Sequence, residues 1–359
     1  MNLPHRASTA TLRCAIGVTV MSLTTAAHVA EAQEWTAPRT EHGQPDIQGR
    51  WSNNFVTPVQ RPEGQGPTLT LEEAATLQGE RQAVLDGSFE PLDPDRSAPP
   101  PSDDPGGYDT FYLDSGDRVA IVNGEPRSSF ITRPANGRLP PLTAEGTRRR
   151  AEQIAFGKQF GPYDHPELLP TPERCLMPLG PRNGPPMFGG FYNNNYLIVQ
   201  TADHVVIMAE QLRGTRIIPL RDGPRLASHI RHWSGDSWGR WEGETLVVET
   251  TNIHPDQNDL IPQSVFANEL DQRAGNQASE ARRVTERFTR VDEDTLLYDF
   301  TVDDPIIYTE PWGGEIPMWQ QEDQMYEYAC HEANYGMFNI LRGARYEERQ
   351  ATESDEQGR

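Results

Sequence analysis

The chain has 359 residues, enough for one large domain or two small ones, and a formal charge of −21 at pH 7. That acidic balance argues against nucleic acid and anionic membrane surfaces as partners, because both select basic patches. After the N-terminal region no stretch approaches the ~20 apolar residues of a transmembrane helix, so membrane insertion is not expected.

Arg6 and Arg13 precede a short apolar run over 14–27, and Ala30 and Ala32 follow at the spacing of a signal-peptidase site. Residues 1–32 therefore read as an export leader, and the mature protein is expected to be periplasmic or secreted. Its charge is near −22 once Arg6, Arg13 and Glu31 are removed. Lys158 is the single lysine, so Schiff-base chemistry would rest on it alone. Cleavage leaves Cys175 and Cys330, and in an oxidising compartment such a pair more often forms a disulfide than a reactive thiol or metal ligand. Closing a loop of about 155 residues stabilises by ~3–5 kcal/mol in the chain-entropy model.

In chain order, 33–115 forms an extended and helical N-terminal segment. Gly49-Arg50-Trp51 lies in a short β-like patch, and Gly-x-Trp near a mature N-terminus is similar to the opening strand of lipocalin-like barrels. Thr70-Leu71-Glu72-Glu73 is a capping box that starts a helix over about 70–86. Residues 87–108, rich in Pro, Asp and Ser, read as an exposed loop. Two short strands follow about the Asn123-Gly124 turn, and a second helix is expected over 142–158. Residues 161–191 are dense in Pro and Gly and form a long irregular loop of the kind that is usually functional or mobile. Three hairpins then follow: 196–200 with 204–211, 237–241 with 244–251, and 282–290 with 295–303. Consecutive hairpins with almost no helix between them predict a mainly β fold, an antiparallel meander closed as a lipocalin-like barrel or folded as a sandwich. The barrel domain is placed at 116–346 and a disordered tail at 347–359.

The densest chemistry lies at 229–252, HIRHWSGDSWGRWEGETLVVETTN. Gly235-Asp236-Ser237-Trp238-Gly239 matches G-x-S-x-G, but no helix follows it, so a structural turn is favoured over a serine hydrolase using Ser237. His229 and His232 stand three apart on strand-like sequence and point to opposite faces, which argues against a shared metal ion. In YEYACHEANY (326–335), strand geometry puts Tyr326, Tyr328, Cys330 and Glu332 on one face. His331 and Glu332 act together as acid and base only if the strand ends there. His204 follows Asp203 at a hairpin tip, where barrel pockets open. Arg231, Arg240, Arg283 and Arg287 line an anion pocket if they point inward. If they point outward, they form cross-strand ion pairs. Trp233, Tyr196 and Asn194 belong to aromatic clusters that suit a pocket mouth for a ring-containing ligand.

The segments PERC (172–175), YNNNYLIVQTADHVVIM (192–208), GDSWGRWEGETLVVETTN (235–252), RFTRVDEDTLLYDFTVDD (287–304) and YEYACHEANY together resemble a large group of exported bacterial proteins of unassigned function. The resemblance covers most of 172–345 and implies an exported β-rich domain; Cys175, Cys330 and His331-Glu332 match its motifs. The expected function is binding a small, partly apolar molecule in the barrel mouth. If the molecule is transformed, a cofactor-free lyase, hydratase or isomerase fits. His331 and His204 would then move protons, Glu332 or Asp236 would orient or act as base, and Arg231 or Arg240 would hold an anion. No phosphate loop or dinucleotide fingerprint is present, so no cofactor is expected. The alternative is a periplasmic interaction or structural protein docking a partner through its loops.

Overall fold

A computed structural model describes residues 35–88, 116–161, 163–178, 182–190, 192–221, 223–257, 276–332 and 334–357. The expected leader and nearly all of the expected 87–108 loop lie outside these residues. The unit from Thr36 to Arg359 is built around one antiparallel sheet. Its strands are β1 (Gly49–Ser52), β4 (Ile131–Arg133), β5 (Asn195–Gln200), β6 (His204–Ala209), β7 (Thr215–Pro219), β8 (Asp236–Glu242), β9 (Thr245–Thr251), β10 (Arg283–Arg290), β11 (Thr295–Asp303) and β12 (Trp312–Gln320). A separate two-stranded ribbon, β2 (Ile121–Val122) with β3 (Glu125–Pro126), turns at Asn123-Gly124, both with positive φ.

The sheet runs β7-β6-β5-β1-β12-β11-β10-β9-β8, with β4 added beside one end of β12. It is two meanders joined through β1, which pairs with both β5 and β12. The N-terminal segment thus supplies a barrel strand, and the expected boundary near 115 is crossed. Gly-x-Trp does form a strand, with Trp51 wholly buried, but at the centre of the sheet and not beside its sequence neighbour. Antiparallel pairing along this path leaves the edge strands β7 and β8 running in the same direction. They approach each other without a backbone ladder, so the barrel is nearly closed, with one seam.

Period-two alternation sets the interior. β10 buries Val284, Glu286 and Phe288; β11 buries Leu296, Tyr298, Phe300 and Val302; β6 buries Val205, Ile207 and Ala209. β12 is buried along most of its length, and Gly314 lies so close to the Phe130 carbonyl of the preceding segment that any Cβ would collide with it. Helix α1 (Leu71–Ser88) starts at the expected capping box: Thr70 N–H donates to Glu73 Oε2 at 2.7 Å and Glu73 N–H donates to Thr70 Oγ1 at 3.1 Å. Helix α2 (Ala144–Gly157) is capped by Thr143. The expected disordered tail is instead part of a helix, α3 (Gly336–Gln357).

The Pro/Gly-rich stretch 161–191, expected as a mobile or functional loop, contributes core. Residues 182–188 are buried and plug the barrel. Their backbone is held by inward-pointing polar side chains. Met187 N–H donates to Tyr298 Oη at 3.0 Å, Asn53 Nδ2 donates to the Met187 carbonyl at 3.1 Å, and Tyr196 Oη donates to the Arg182 carbonyl at 2.8 Å. Phe188 packs edge-on against Phe300 and parallel to Trp312. A loop can be buried only if its backbone groups find such partners.

Candidate functional site at the barrel seam

At the N-terminal ends of β7 and β8 the seam opens into a cleft of about 390 Å³. Its walls include Leu176, Met177, Asn183, Leu212, Trp233 and Ser234, with Arg216 and Ser237 at its inner side. β7 creates this site against hydropathy. In Thr-Arg-Ile-Ile-Pro, Ile218 is buried and the strand period carries Arg216 inward with it, leaving Ile217 64% exposed.

Arg216 is neutralised inside the barrel. Its Nη1 donates to Glu286 Oε1 at 2.9 Å, and Nη2 donates to Glu286 Oε2, a bidentate pair whose side chains are 2% and 0% exposed. Nη2 also reaches Ser237 Oγ at 3.3 Å and Thr250 Oγ1 at 3.4 Å, tying β7 to β8 and β9 across the unladdered seam. Burial opposes the guanidinium charge, but the adjacent Glu286 carboxylate outweighs it and holds the Arg216 pKa above its ordinary value. Tyr298 Oη donates to Glu286 Oε1 at 3.0 Å, so the plug, the ion pair and the cleft form one hydrogen-bonded chain. Burial, followed by the neighbouring carboxylate, pushes the Tyr298 phenol well above its usual range.

Trp233 is half-buried in the cleft wall and lies 4.1 Å, ring to ring, from His254. Burial holds the His254 imidazole below its ordinary pKa, against the opposing charge of Asp256. Asn183 is 2% exposed, and neither its Nδ2 nor its Oδ1 has a hydrogen-bond partner among the described residues.

The other sequence candidates do not converge here. His331 and Glu332 are exposed in an irregular turn over 322–332, not on a strand. That turn is joined to the 171–177 turn by the Cys175–Cys330 disulfide, with Cα atoms 5.7 Å apart. His204 Nδ1 sits 2.8 Å from Asp203 Oδ1 at the β5–β6 turn, and this bond lowers the Asp203 pKa. Asp236 accepts from Leu226 N–H at 3.0 Å and Trp238 Nε1 at 3.0 Å, orienting the start of β8. Arg231 donates to the carbonyls of Ile253, Ala278 and Ser279, beside a separate small hollow near α2. Arg240, Arg283 and Arg287 face outward and pair with Glu242 and Glu249, the cross-strand alternative. Asn194 clasps Gly190 through both amide atoms, and Tyr196, its phenol pushed up to about 12 by burial, binds the plug. Both are interior braces and not a pocket mouth.

Of the expected ligand-binding residues, Trp233 lines the cleft. Ser237 is buried on a strand, with its Oγ 2.8 Å from Thr250 Oγ1, and no imidazole bonds it among the described residues. Among the described residues no group of three or more His, Cys, Asp and Glu side chains could hold a metal. No helix among them is long and apolar enough to cross a membrane. None of Arg216, Glu286 and Asn183 reads as a site residue from the sequence, although Glu286 stands near Arg283 and Arg287 as a candidate ion-pair partner and pairs instead with Arg216. Alternation with Ile218 and with Val284/Phe288 could have placed the first two inside. Nothing local marks Asn183.

No family model and no curated protein matches the chain.

Proposed function

We propose that the protein is an exported binding protein that takes a small, partly apolar molecule into the seam cleft. The cleft itself carries this reading: apolar Leu176, Met177 and Leu212 stand beside a half-buried Trp233, above a polar floor at Arg216 and Ser237. Export is supported by the Arg-then-apolar leader pattern and by the Cys175–Cys330 disulfide. The barrel interior is filled by aromatic side chains and the plug, so the ligand site is at the rim and not along the axis. Acid/base turnover finds less support, because His331, Glu332, His204 and Asp236 are not grouped around this cleft. A native mass spectrum of the mature protein from its own host's envelope tests the reading. A retained small-molecule mass, lost in Trp233→Ala, is expected; a bare chain in both proteins counts against it.

A second reading, a protein that docks a partner, is favoured by exposed aromatics near the C-terminus. Tyr335, Phe338 and Tyr346 are 70%, 63% and 57% exposed. A specific heteromeric mass lost in Phe338→Ser would make that reading the better one.

A further inference from the structure

We propose that the seam cleft selects a neutral ring compound with a hydrogen-bond donor and acceptor side by side, as in a lactam or cyclic imide, and that Asn183 reads that edge. This rests on the cleft being a ligand site. A buried carboxamide with neither atom paired is rare in native structures, and it marks a group waiting for a partner. Asn183 lies in the cleft wall, and its Nδ2 and Oδ1 match one donor–acceptor edge on a ligand.

The amide is covered by the β6–β7 turn: a Cβ on Gly214 would collide with Nδ2. That turn is itself under tension. Leu212 sits at φ +53°, a left-handed conformation costly for a residue with a Cβ, and among the described residues the buried Gln211 Oε1 has no partner. Reading by Asn183 therefore requires residues 211–214 to move outward, uncovering the amide edge toward the cleft.

Neutrality follows from the charges. Among the described residues lining the cleft, Arg216 is the one Arg, Lys, Asp or Glu, with both its Nη atoms engaged by Glu286, and the other titratable side chain there is His232. The chain's overall charge of −21 further disfavours an anion. Trp233 supplies a flat face for the ring.

The test is calorimetric titration of the mature full-length protein with carbostyril, a neutral benzo-fused lactam. N-methylcarbostyril lacks the donor, naphthalene lacks the whole edge, and naphthoate carries a charge. Carbostyril is expected to bind at least about tenfold more tightly than the other three. Asn183→Leu should abolish that preference without lowering the melting temperature, because the amide makes no bond in the free protein. If that variant does not fold, Asn183→Ala, which keeps neither polar atom, must lose the preference instead. Equal binding of carbostyril and its N-methyl form, both weakened by Trp233→Ala, overturns the edge while leaving the cleft a ligand site. Naphthoate binding most tightly overturns neutrality. Binding of no probe, or binding indifferent to Trp233→Ala and to the Asn183 variants, overturns the edge and the cleft together.

Discussion

Two irregular segments, 182–190 and 322–332, occupy opposite ends of the burial scale although the first is rich in Gly and Pro and the second, which holds Tyr326 and Tyr328, has neither. The first is core. Its backbone is gripped by Tyr298, Asn53 and Tyr196 from the barrel interior, and by Gln257, whose Nε2 donates to the Gly184 carbonyl at 3.0 Å. The second lies outside, with Tyr326 77% exposed and His331 and Glu332 in solvent. It is held by the disulfide, by Tyr326 N–H donating to Glu210 Oε1 at 3.1 Å, and by Tyr192 stacking on Tyr328. Burial of irregular chain depends on polar partners waiting in the wall, not on its own hydropathy.

The largest effect is expected at Glu286. Glu286→Ala leaves the Arg216 charge buried without a partner and should destabilise by about 3–5 kcal/mol in urea unfolding. Replacing both residues by apolar ones of similar size should cost less than either single change, measured as a double-mutant cycle. Removing the disulfide with Cys175→Ser and Cys330→Ser should cost up to about 3–5 kcal/mol on the chain-entropy estimate. The signature there is regional: amide exchange should accelerate over 322–332 and stay slow over 182–188. Uniform acceleration would mean that the plug depends on the staple.

A smaller effect is expected from Tyr298→Phe, which leaves the Met187 N–H and one Glu286 oxygen short of a partner. A loss of about 1–3 kcal/mol in the same unfolding assay would place the plug and the ion pair in one network. The smallest effect is on pH. The folded-state pKa of His254 lies below the ordinary value of about 6.5, so the unfolded chain takes up the proton first. Its contribution is fully present above pH ~6.5 and is lost as pH falls below it. Melting temperature measured in wild type and His254→Gln should diverge in that direction on acidification.

Much of the fold was legible in the residues. The three hairpins appear within two residues of their expected ends because alternation and turn chemistry are local. The Thr70–Glu73 box and the Thr143 cap start helices for the same reason. β7 and β12 were not expected. One carries Arg216 inward, and the other contains Pro317 and paired glycines that read as turn. The site was less legible. Trp233 lines the candidate cleft, whereas His331, Glu332, His204 and Asp236 are reactive types whose surroundings no local pattern reports.

By itself the sequence determined the β class, the hairpin registers, the helix starts and the pair of cysteines available to cross-link, since each depends on neighbours a few residues apart or on composition. Tertiary structure alone decided that β1 joins the two meanders and that β7 and β8 meet as parallel edges. It also decided that Arg216 and Glu286 share one interior, and that Asn183 and Trp233 line one cleft. Those outcomes depend on residues 20 to more than 200 positions apart being brought together, and strand pairing and interior charge balance are properties of the assembled, nearly closed barrel.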